Sequence, residues 1–70
     1  MNSIEHQDIT LSFFSYSHLP EDLQKVSKPF GVLAENIVRT IETGNQRSNA
    51  LQRLLEAKDA AVRAALIPGA

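Results

Sequence analysis

Two long amphipathic stretches meet at Thr43-Gly44-Asn45, and this short junction constrains the fold more than any other feature of the chain. Upstream of it, Leu23, Val26, Phe30, Leu33, Ile37 and Ile41 recur at three- and four-residue steps, with Ala34 and Val38 widening the stripe. That spacing is the apolar face of a helix, predicted over residues 20–42. Pro20, Glu21 and Asp22 suit its first turn. Pro29 falls inside it, where a proline removes one backbone hydrogen bond and presses on the preceding turn. A kink or short break is therefore expected near Ser27-Lys28, with Ser27 capping the restarted helix. Downstream, a second helix is predicted over residues 46–66 and is stopped by Pro68 and Gly69. Gly44 is expected to supply the left-handed backbone that ends the first helix, and Asn45 to cap the second. Helices this long, joined by so short a loop, lie antiparallel.

Ahead of the hairpin, residues 1–18 read as an arm, with residues 19–66 as the hairpin domain and 67–70 as a tail. Within the arm Ile9-Thr10-Leu11-Ser12-Phe13 alternates apolar and polar, the period of a short half-buried strand. Phe13 is then a core residue. Phe14 and Tyr16 lie two apart and face together if the arm is extended. The fold class is all-α: an antiparallel two-helix hairpin with an extended N-terminal arm. A chain of 70 residues buries too little apolar surface to be comfortably stable alone. It has no cysteine, which removes disulfides and thiolate metal sites. His6 and His18 lack a ligand partner at metal-site spacing. Association remains, so a homo-oligomer is expected.

The net charge of -1 argues against a general binder of nucleic-acid polymers. The balance is uneven, however. All seven lysines and arginines fall after residue 22, which leaves room for a local anion site in the helical part. The polar, acidic N-terminus has no signal-peptide pattern and no apolar run approaches membrane-spanning length, so a cytoplasmic protein is expected. No Gly-rich phosphate loop, nucleophile–base pair or paired carboxylates stand out, so the chain is read as no enzyme, with no cofactor.

The second helix carries the most information. At about 100° per residue, Leu51, Leu54, Leu55, Ala61, Val62 and Ala65 share one face. Lys58 sits in the middle of it and Arg47 lies on it near the loop. Ala50, Ala57, Ala60 and Ala64 form a second strip of small side chains that another helix can approach closely. Glu56, Asp59 and Arg63 read as solvated. Lys58 either lays its stem along the stripe and turns its ammonium to water or a carboxylate, or offers a partly desolvated charge to an anionic ligand. Arg47 is either a loop residue, opposing its own helix dipole or pairing with Glu42, or a planar fork for phosphate. Ser48 either caps or donates to a phosphate oxygen. Phe14 and Tyr16 form either a hydrophobic clasp between subunits or a surface on which a nucleobase stacks. His18, just ahead of the first helix, caps or binds.

Phe14-Ser15-Tyr16, His18-Leu19-Pro20 and Gln24, followed by Arg47-Ser48-Asn49-Ala50-Leu51-Gln52-Arg53-Leu54-Leu55-Glu56-Ala57, carry a resemblance. Their order and spacing over residues 14–66 resemble the helical-hairpin domain of phage anti-CBASS and anti-Thoeris sponge proteins. The resemblance implies a helical homo-oligomer, from dimer to hexamer, that sequesters a cyclic nucleotide signal in the host cytoplasm and so blocks antiphage defence. It implies Tyr16 as the stacking residue and Arg47 and Ser48 as phosphate ligands. Lys58 lies beyond its strongest motif. The chain departs from the family in its short junction and in Ala60-Ala61-Val62-Arg63, where the family often has aromatic and Asn residues. Two other classes compete. One is a ribbon-helix-helix DNA-binding repressor, which needs the strand. The other is a purely structural or protein-binding hairpin.

Overall fold

A computed structural model describes residues 11–69. Two helices dominate it, α1 over Glu21–Thr40 and α2 over Asn45–Leu66. They pack along one another as a hairpin, and no strand is present among the described residues.

Helix α1 begins after Pro20, whose carbonyl accepts from the amides of Leu23 and Gln24. Glu21 and Asp22 place negative charge in the first turn, where exposed amides favour it. Of the kink or short break expected, no break occurs: α1 runs continuously through Pro29, and Ser27 is an interior helical residue, not a cap. The physical reason is position. Pro29 and Lys25 both face solvent, so water can satisfy the carbonyl that the proline leaves unpaired.

The junction also differs from expectation. Helix α1 ends at Thr40, with Ile41 extended behind it. Gly44 stands at φ 171°, an extended conformation open to any residue, and it occupies the N-cap of α2 without a side chain to cap with. Asn45 is already helical. The left-handed backbone expected at Gly44 is found instead at Gly69, at φ 88°.

The arm is corrected most. Leu11 and Ser12 are helical and Phe13 lies in a turn, where the amides of Phe14 and Ser15 donate to the carbonyls of Leu11 and Ser12. Residues 9 and 10 of the expected strand lie outside the described residues. A helical turn puts residues i and i+3 on one side, where a strand pairs i with i+2. Leu11 and Phe14 therefore turn inward together, and Phe13 turns out. Phe14 is 3 % exposed and Phe13 56 %, the reverse of the assignment that an extended arm gives.

The core is small. Phe14 from the entry segment, Ala34 from α1 and Leu51 from α2 are its buried apolar residues, with Leu11, Phe30, Ile37, Val38, Leu54 and Leu55 packed around them. The driest line of α1 is not its bulky stripe. Ser27, Gly31 and Ala34 are buried, while Leu33 is half-exposed. These three small residues let other chain segments come close. A side-chain carbon added at Gly31 would lie 3.0 Å from the Phe14 carbonyl oxygen and 3.1 Å from the Tyr16 ring. Gly31→Val is thus expected to cost about 1–3 kcal/mol by overpacking, read as a lower urea midpoint at fixed protein concentration. Gln24 holds the same segment from the other side: its amide Nε2 donates to the carbonyls of Leu19 at 2.8 Å and Ser17 at 3.3 Å.

Candidate functional site

The residues singled out in the sequence fall in three separate places. Arg47 and Ser48 lie in the first turn of α2. Arg47 is 6 % exposed, and its Nη1 donates to the carbonyls of Ile41 at 2.7 Å and Val38 at 3.2 Å. Those carbonyls lie at the C-terminal end of α1, beyond the reach of its own amides. Arg47 therefore caps the neighbouring helix, where a cation is favourable. The structure shows neither a pair with Glu42 nor a loose loop side chain. Ser48 is exposed, and its backbone amide donates to the Gly44 carbonyl in the ordinary helical pattern.

Phe14 and Tyr16 border a second place, a pocket of about 260 Å³ between the entry segment and α1. Phe14 is committed to the core, while Tyr16 is half-buried with its ring against Gly31. Among the described residues the ionisable groups of that pocket's wall are the Tyr16 phenol and Glu35, with no Lys or Arg. The tyrosine expected to stack beside cations instead stands beside a carboxylate.

Lys58 and His18 meet in the third place, a pocket of about 360 Å³ where three segments converge. Helix α2 contributes Lys58, Asp59 and Arg63, α1 contributes Ser27, and the entry turns contribute Phe13, Ser15 and His18. Lys58 is some 16 Å along α2 from Arg47, eleven helical rises away, so the two cations expected on one face cannot share a small ligand within one chain. The Lys58 side chain is only 14 % exposed, and its ammonium contacts the Asp59 carboxylate at 2.9 Å. Asp59 itself is 46 % exposed. Consecutive helical residues do not face each other, so the lysine bends sideways to reach this partner. The carboxylate contact foreseen for Lys58 is thus present, made by a residue that the sequence reading left to solvent.

Ser27 is the unexpected member. It is 1 % exposed, and its hydroxyl oxygen is buried with no hydrogen-bond partner. Buried hydroxyls are nearly always paired, because leaving one unpaired costs about 1–3 kcal/mol. Its position was legible in sequence, one turn before Gly31 on the small-residue line, but a polar residue beside Pro29 reads first as a cap. Phe13 and Arg63 were likewise missed as pocket residues, the former because a strand period turned it inward. Among the described residues no cluster of three or more His, Asp or Glu side chains could hold a metal ion. No described helix is long and apolar enough to cross a membrane.

No family model, no curated protein and no solved structure matches this chain.

Proposed function

We propose that this protein is a non-enzymatic sponge: it binds a phosphate-bearing small molecule of the cyclic nucleotide class and holds it away from the host's antiphage signalling. The observation that carries this is the convergence of Lys58, Arg63 and His18 on one pocket, with Lys58 largely withdrawn from water on an otherwise apolar face. Withdrawn cations attract anions more strongly than solvated ones. Phe13 and His18 are the flat groups beside these cations, and they take the stacking role that the sequence suggested for Phe14 and Tyr16. The nucleotide class itself rests on the resemblance of residues 14–66. The working form is a homo-oligomer in the host cytoplasm. Its small core and the half-exposed Val32, Leu33, Ile41, Leu66 and Ile67 support association.

Calorimetry against a panel of cyclic di- and trinucleotides and cyclic ADP-ribose isomers tests the reading. Binding of at least one member at micromolar concentration is expected, and Lys58→Met is expected to remove it without changing the oligomer's mass. Silence across the panel would sink the proposal. The repressor alternative gains nothing here, since Leu11–Phe13, three of the five residues of its required strand, is a helical turn. The purely structural hairpin is favoured by the exposed apolar residues alone, and it predicts that Lys58→Met leaves every binding signal untouched.

A further inference from the structure

We infer that Ser27 and Lys58 form an oxyanion seat that Asp59 keeps closed, and that one phosphate group of the ligand opens it by displacing Asp59. This rests on the anion-binding reading above and specifies where the charge goes. Two independent observations meet at one pocket. The Ser27 hydroxyl is sealed from solvent and has no partner, so it is a donor without an acceptor. The Lys58 ammonium is spent on its own neighbour, a carboxylate that stays half in water. Asp59 is a poor permanent partner. The pair lies on consecutive residues, and the exposed carboxylate is solvated whether or not the lysine touches it.

Once Asp59 has moved aside and the Ser27 hydroxyl has turned into the pocket, a phosphate oxygen satisfies both donors together. It accepts from Ser27, which gains its only hydrogen bond, and from Lys58, which exchanges one anion for another. Asp59 then turns fully into solvent, where its charge is least costly. Arg63, also on the pocket wall, adds a second cation for the phosphate's remaining charge. The seat suits a tetrahedral oxyanion on a small molecule. Among the described residues Lys58 is the one lysine on the pocket wall.

The test uses the full chain and inorganic phosphate as probe, titrated by phosphorus NMR, with inorganic pyrophosphate in parallel. Asp59→Asn is expected to tighten binding roughly tenfold, since it removes the internal competitor. Ser27→Ala is expected to weaken it by a similar factor, the worth of one hydrogen bond to a charged group. Glu42→Gln adds the same charge in the exposed junction and is expected to leave affinity unchanged. Circular dichroism confirms that each variant folds. If the wild-type chain binds phosphate and both pocket variants bind it equally well, the seat is wrong and the sponge reading survives. If Asp59→Asn binds where the wild type does not, the closed seat is supported directly. If neither binds phosphate, and the nucleotide panel is silent too, both readings fall.

Discussion

Replacing Ser27 by alanine is expected to make the protein more stable, by about 1–2 kcal/mol, which is a rise in melting temperature of roughly 5–10 °C for a chain of this size. Most substitutions at a buried position destabilise. This one removes a hydroxyl that gave up its water and received no partner. It also replaces serine inside a helix with the best helix former. The measurement is a thermal melt at fixed protein concentration, because association shifts the midpoint as well. A fall in melting temperature would mean that the hydroxyl has a partner in solution, and the oxyanion seat would lose its first support. A rise coupled with weaker phosphate binding would mark Ser27 as a residue kept for ligand binding at the expense of stability.

Arg47→Ala is expected to have the largest opposite effect, a loss of about 2–4 kcal/mol. It deletes two charge-assisted hydrogen bonds and strands the carbonyls of Val38 and Ile41 at a partly buried helix end. For a small protein with a few kcal/mol in hand, that approaches global unfolding at physiological temperature. Arg47→Lys is expected to recover part of the loss, since both bonds come from the one nitrogen Nη1 and an ammonium also donates more than one, but from a side chain of different reach. Urea denaturation of both variants checks this. Lys58→Met supplies the contrast: it removes ligand affinity and leaves the urea midpoint nearly unchanged. A normal midpoint for Arg47→Ala would show that the helix end needs no cap, and would return the arginine to the list of free anion ligands.

The two helices were legible because their apolar spacing is long and regular, and the short junction left only an antiparallel arrangement. Most of the face of α2 was legible too: Arg47, Leu51, Leu54, Leu55, Lys58, Ala61 and Val62 are buried or half-buried, but Ala65, expected with them, is exposed like Ala50, Ala57, Ala60 and Ala64. What failed was local. Five residues at period two look like a strand, yet three of them are too few to separate that from one helical turn, and the difference exchanges Phe13 for Phe14. On α1 the large residues marked a stripe centred on Leu33 and Ile37, while burial follows Ser27, Gly31 and Ala34. Hydrophobic size finds the face that attracts neighbours, but closest approach belongs to the residues that leave room. The candidate site suffered similarly. Lys58 and His18 were visible as residues, but that they line one pocket depends on the entry segment packing beside α2, and that Arg47 serves the far end of α1 depends on how the two helices align.

The entry segment changes what counts as the folding unit. Among the described residues Phe14 is one of three buried apolar side chains, and it comes from outside the hairpin. The buried line of α1 is a serine, a glycine and an alanine, and the glycine lies against the entry segment. A peptide of residues 21–66 would keep the packing of α1 on α2 and the Arg47 cap but would lose the bulkiest of the buried apolar side chains. Folding of the hairpin is therefore expected to be coupled to docking of the entry segment, which brings this aromatic plug to the core. A fragment lacking residues 11–20 should behave as fluctuating, solvent-swollen helices that regain sharp cooperative melting only when the missing decapeptide is supplied.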